Sequence, residues 1–73
     1  MDTKQIGAIV RAARKAQGLR QDQLAAAAGV GLRFLVELEA GKPTVRLGKA
    51  LEVLAALGCR VEIVAPPAPA GGR

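Results

Sequence analysis

LAAAAGVGLRFLVELEAGK, Leu24 to Lys42, is the stretch on which the fold turns. It opens as an alanine-rich helical segment and breaks at Gly29-Val30-Gly31. It then resumes as a second apolar-periodic segment that stops at Gly41. So short a break sets two short helices at a steep angle. Gly29 supplies a left-handed backbone that a residue with a side chain adopts only with strain. Val30 is an apolar plug between the two helices. Leu24, Ala25 and Ala28 make the inward face of the first helix, Leu35 and Leu38 that of the second. The alanines have two explanations that coexist: high helix propensity, and small side chains that let a neighbouring helix come close.

Outward from this corner the pattern stays helical. Residues 3–17 read as a first helix, with Asp2 or Thr3 as cap and Gln5 three residues after Asp2, as in a capping box. Its stripe is Ile6, Ile9, Val10 and Ala13, and Gly18 ends it. The corner helices are expected over 21–28 and 32–40. Pro43 forbids helix in the connector. Thr44 is expected to cap a fourth helix over 45–57, with Leu47, Ala50, Leu51, Leu54 and Leu57 inward. The period then changes. In Cys59-Arg60-Val61-Glu62-Ile63-Val64 the pattern alternates, which reads as a short strand. Val61 and Ile63 share one face, Arg60 and Glu62 the other. The Pro/Ala/Gly run over 65–73 reads as a disordered tail. The expected organisation is a helical domain over 1–58, a strand over 59–64 and the tail. A lone strand has no sheet to join within such a chain, so its backbone groups call for a second copy as partner.

Composition narrows the function. With 73 residues the chain is one small domain, of a size that often gains stability by oligomerising. Its one cysteine, Cys59, and lack of histidine rule out an internal disulfide framework and argue against zinc. Lone thiols suit a reducing cytosol. No apolar run approaches the ~20 residues that span a bilayer, and MDTKQIG lacks the apolar core of a signal peptide. A cytoplasmic protein without membrane contact is expected. Eleven Lys and Arg against six Asp and Glu leave a formal charge of +5, which favours a polyanionic partner over a basic surface kept for solubility alone. The only aromatic residue is Phe34, so stacking on single-stranded bases is disfavoured and a duplex is expected. No catalytic nucleophile–base pair, metal cluster or phosphate loop is evident, which argues against an enzyme and calls for no cofactor.

The corner has the dimensions of a helix-turn-helix, which places the first turn of its second helix in the DNA major groove. Arg14, Gly18-Leu19, Gln21, Leu24-Ala25, Ala28-Gly29-Val30, Leu35, Leu38-Glu39 and Gly41-Lys42 together resemble the lambda-repressor/Cro-like (XRE) helix-turn-helix family. The resemblance covers about residues 5–58. It implies a mainly α, four-helix, lambda-repressor-like DNA-binding domain. Many members continue with a fifth helix, whereas LEVLAALG here runs into CRVEIV and a loose tail. That ending is similar to HipB-type antitoxins. It implies a C-terminal strand paired across a homodimer, an inverted-repeat operator, and a HipA-like kinase toxin as partner.

On this resemblance Arg14 and Glu39 form an ion pair tying the first helix to the third; the alternative is two solvated charges. Gln21 sits where family members touch a phosphate, or is an ordinary helix-opening glutamine. Arg33, on the exposed first turn of the third helix, is the best candidate for reading guanine, since a guanidinium donates two bonds to O6 and N7; a phosphate contact is the alternative. Leu32 suits a thymine methyl or simply covers the surface. Gly31 replaces the usual Ser or Thr cap and offers only backbone. Glu37 either repels phosphate or accepts from cytosine N4. Arg20 stands where a Thr cap is usual; a base there is unfavourable at a positive helix end unless it faces a phosphate. Lys42, Thr44 and Arg46 form a candidate phosphate clamp beside the fourth helix. Phe34 is expected to pack on that helix, with contact to DNA or a partner as the alternative; Cys59 is expected to be a small buried side chain, and Lys49 and Arg60 to be solvated. Three functions follow: an autoregulating antitoxin, a stand-alone phage-type regulator, and a helical adaptor without DNA binding. The basic first turns argue against the adaptor.

Overall fold

The computed structural model describes residues 1–68. Four helices follow in order: α1 Thr3–Ala16, α2 Gln21–Ala28, α3 Leu32–Glu39 and α4 Leu47–Ala56. The first three lie within one residue of their expected ends. α1 starts in a reciprocal capping box. Asp2 Oδ1 accepts from the Gln5 N–H at 2.8 Å, and Gln5 Oε1 accepts from the Asp2 N–H at 2.9 Å. Thr3 is therefore the first helical residue, and its hydroxyl donates across the fold to the Gly41 carbonyl at 2.9 Å.

The corner closes through backbone alone. Gly29 is left-handed at φ +71°, and the Val30 N–H donates back to the Ala25 carbonyl at 3.0 Å. The first free carbonyls of α2 are thereby satisfied before the chain turns into α3.

Val10, Leu24, Leu35, Leu38 and Val53 are fully buried, and Ala25, Ala50, Leu54 and Leu57 complete the core. Ile6, Ala13, Ala28, Val30, Phe34 and Cys59 pack at its edge. α3 lies against both α1 and α2, and α2 also lies against α4. Gly7 makes the α1–α3 contact possible. A Cβ there would stand 2.8 Å from the Glu39 carbonyl oxygen and still nearer that of Leu38. Carbonyls of a helix end cannot step aside as a flexible side chain can.

Four expectations need correction. α4 begins at Leu47, not at residue 45, and Arg46 rather than Thr44 is its N-cap, with no side-chain cap bond. Residues 43 and 44 lie in a turn, and Val45 packs against the core instead of opening the helix. Leu47 and Leu51 do not point inward: they are 69% and 41% exposed, while Val53 is fully buried. Ile9, expected on the buried stripe of α1, is half exposed. Finally, Arg60, Val61, Glu62, Ile63 and Val64 form no strand; there is none among the described residues. The physical reason is that no second strand among the described residues supplies hydrogen bonds. The tail expected over 65–73 is described only as far as residue 68, where it has neither helix nor strand; residues 69–73 lie outside the described residues.

Candidate nucleic-acid interface

The site rests on a polar frame beneath the corner. Arg14, on α1, donates from Nε to Glu39 Oε2 at 2.7 Å and from Nη2 to Glu39 Oε1 at 3.0 Å. Its Nη1 donates to the Leu19 carbonyl at 2.9 Å. Gln21 Nε2 adds a bond to Glu39 Oε1 at 3.1 Å. One carboxylate on α3 thus ties α1 to the start of α2, and Arg14 itself holds the linker between them. The two side chains are 10% and 5% exposed, which separates this pair from a solvated one. Burial pushes the Glu39 carboxyl up. The hydrogen bonds from Arg14 and Gln21 and the charges of Arg14 and Arg11 outweigh it, leaving the group below its ordinary value. Gln21, expected at a phosphate, has part of its amide committed to this frame.

On that frame α3 presents an open first turn. Gly31 is its N-cap without a side-chain bond. Leu32 is 48% exposed, and the Arg33 side chain is 92% exposed. Arg33 reaches one turn on to Glu37, Nε to Oε2 at 3.6 Å. Lys42 Nζ approaches the same Glu37 oxygen at 3.3 Å. Glu37 therefore bridges the best base-reading candidate to a phosphate-clamp candidate. The sequence reading had set it only against DNA.

The flanks differ in the same sense. Arg20 pairs with Asp22, Nε to Oδ1 at 3.0 Å and Nη2 to Oδ2 at 3.4 Å. The Arg20 hydrogen bond holds the Asp22 carboxyl below its ordinary value. Asp22 escaped the sequence reading, although an acid in the first turn of a helix is a signal for it. With no acceptor on its side chain, Arg20 cannot cap α2; Gln23 Oε1 instead accepts from the Arg20 N–H at 2.8 Å. Lys42, Thr44 and Arg46 are all exposed in the α3–α4 connector and at the α4 N-cap. Lys49 is exposed, as expected, with its Nζ 5.8 Å from the centroid of the Phe34 ring. Cys59 is half-buried against the core. Arg60, Val61, Glu62, Ile63 and Val64 are exposed, and the first three line a groove with Ile9, Leu47 and Leu51.

Among the described residues no group of acidic, cysteine or histidine side chains could hold a metal ion. No helix among them is long and apolar enough to cross a membrane.

The comparisons agree with this geometry. The helix-turn-helix family matches residues 10–64. The chain is also 66% identical over 61 residues to an HTH-type transcriptional regulator, y4mF, of Sinorhizobium fredii (strain NBRC 101917 / NGR234), covering 84% of this chain and 80% of that protein. The open first turn of α3, the glycine corner and the buried Arg14–Glu39 frame thus have one source: the chain belongs to the XRE-type helix-turn-helix family, and is a DNA-binding transcriptional regulator rather than an enzyme.

Proposed function

We propose that the protein is a sequence-specific repressor that binds duplex DNA as a homodimer in the cytoplasm. The observation that carries this reading is the Arg33 side chain, 92% exposed on a helix whose base is locked by the Arg14–Glu39 pair. Arg33, Leu32 and the Gly31 backbone face the base edges. Gln21, Arg20, Lys42, Thr44 and Arg46 face phosphates on either side, and Glu37 sets the arginine's position or accepts from cytosine N4. The homodimer draws support from exposed apolar side chains away from this face. Ile9 of α1, Leu47 and Leu51 of α4, and Val61 line one groove. Val61 and Ile63 would extend that surface when segment 59–64 pairs as a strand with its two-fold mate. The two copies of α3 would then lie about one helical turn apart, ~34–36 Å, over an inverted repeat.

Within this reading the protein is a HipB-like antitoxin that represses its own operon and binds a HipA-like kinase toxin. Support comes from the segment that follows α4, where the alternating run Cys59-Arg60-Val61-Glu62-Ile63-Val64 leaves the helical pattern. A stand-alone XRE-type regulator is the alternative, and a helical protein-interaction adaptor the third reading. The deciding experiment has two arms. Footprinting on the DNA upstream of the gene tests repression; protection of an inverted repeat is expected, and its absence leaves the adaptor. Expression of the neighbouring reading frame, alone and with this protein, tests the antitoxin role. Toxicity alone, with rescue and co-purification, is expected. A harmless, non-binding product leaves the stand-alone repressor.

A further inference from the structure

A shallow cleft runs between α1, the start of α2 and the C-terminal half of α3. It is lined by Arg11, Arg14, Gln21, Val36, Glu39 and Ala40. Its inner wall is held by hydrogen bonds within the fold. Both Glu39 oxygens are taken, by two N–H groups of Arg14 and one of Gln21. Arg14 gives a third N–H to the Leu19 carbonyl. Two arginines against one carboxylate leave the cleft with a net positive charge. Arg11 carries that excess: it is exposed, and among the described residues no carboxylate comes within ion-pair distance of it. Gln21 keeps a second amide N–H, since only one can serve Glu39.

The mouth of the cleft has a definite neighbour. Leu32, Val36 and Ala40 follow one another at intervals of four, so they lie along one face of α3. Leu32 and Val36 are 48% and 43% exposed. The face that carries the first turn of α3 therefore leads into the cleft where Arg11 stands. A duplex with α3 in its major groove has its sugar–phosphate strands along both sides of that helix, since the groove is just wide enough to admit it.

We propose that Arg11, together with the spare N–H of Gln21, binds a backbone phosphate of the duplex that α3 reads. This rests on the DNA-binding reading above. The contact fixes the depth and register of α3 and carries no sequence information of its own. It also gives Gln21 two partners at once: Glu39 behind it and the phosphate before it.

Salt dependence tests the proposal. Binding of the wild type, Arg11→Gln and Arg11→Lys is measured across a salt series, on duplex from upstream of the gene and on a scrambled duplex of equal length. Arg11→Gln is expected to weaken both duplexes by the same factor. Its log–log salt slope should be shallower by about 0.9, the value for one phosphate, so a fourfold rise in salt narrows its deficit roughly three- to fourfold. Arg11→Lys should keep the wild-type slope, and the melting temperature of Arg11→Gln should match the wild type. An unchanged slope in Arg11→Gln overturns the proposal, as does a loss on one sequence only, or a loss that tracks a fall in melting temperature. If wild type and Arg33→Ala alike show no salt-dependent binding to either duplex, the DNA-binding reading falls and takes this contact with it. If the wild type binds and only Arg11→Gln is silent, the contact alone falls.

Discussion

Arg33 and Glu39 show two opposite uses of charge on one short helix. Arg33 is nearly all in solvent, where its weak i,i+4 pair with Glu37 contributes only about 0.3–0.5 kcal/mol. It is therefore available to a partner. Arg33→Ala should move the melting temperature by no more than about 4 °C and relax preference at one base per half-site, by ~1–3 kcal/mol of discrimination. Equal loss on every sequence in a binding-site selection would reassign Arg33 to a phosphate. Glu39 is almost wholly buried and holds three donors. Its carboxyl lies below the ordinary 4.5 in the folded protein, so it contributes stability that is fully present above the unfolded value. That contribution is lost as pH falls through the lower, folded value. Thermal melting should therefore drop on acidification below pH about 4.5, and Glu39→Gln should flatten this part of the profile. Arg14→Ala, which strands the carboxylate, should cost about 3 kcal/mol at neutral pH. Gly7 is the third residue whose role is local. Gly7→Ala gains helix propensity but drives a methyl into the α3 carbonyls. A net loss of about 1–3 kcal/mol in denaturant unfolding is expected; a gain would mean that α1 can slide.

At the scale of elements, α3 and α4 differ in how much of their fate is local. α3 has apolar residues at Leu35 and Leu38, polar ones opposite, and glycines at both ends, and its place follows from that pattern. Its outer face is organised by Glu37, which holds Arg33 and Lys42 through one oxygen. Glu37→Gln should raise affinity for every duplex and reduce the ratio of specific to scrambled binding. Glu52→Gln, the same charge change on α4, serves as the reference. If both variants behave alike, Glu37 acts through net charge only. α4 is apolar around more of its circumference, with Leu47, Ala50, Leu51, Val53, Leu54 and Leu57. Several rotations about its axis satisfy such a sequence. The one adopted buries Val53 and turns Leu47 and Leu51 out. It is fixed from outside, partly by Gln17 Nε2 donating to the Leu57 carbonyl at 2.8 Å.

For the whole molecule the consequence is an exposed apolar groove between α1 and α4. Leu47, Leu51 and Ile9 are left out of a small core that fills with Val53 and Leu54. In the proposed dimer they meet the same groove of a second copy. Leu47→Glu should shift the mass in light scattering from dimer to monomer with little change in monomer stability, because Leu47 is already 69% exposed. A chain ending at Gly58 should also be monomeric. A dimer from that chain would remove segment 59–64 from the interface and leave α1 and α4 to form it.

The corner, the frame and the first turn of α3 were legible in the amino-acid order because each depends on neighbours in the chain or on a fixed pairing. Gly29 must be left-handed where the turn is, Asp2 and Gln5 find each other within one helical turn, and the pairing of Glu39 with Arg14 followed from the family resemblance rather than from spacing. The rotation of α4, the bridging by Glu37, the close approach at Gly7 and the cleft beside Arg11 were decided only in three dimensions. Each depends on which of several acceptable partners the packing brings near, and apolar periodicity cannot choose among rotations of an all-round apolar helix. Segment 59–64 shows the limit most plainly. Alternation supplies the side chains of a strand, but a strand exists only when another backbone completes its hydrogen bonds, and a single chain of this sequence has none to offer among its described residues.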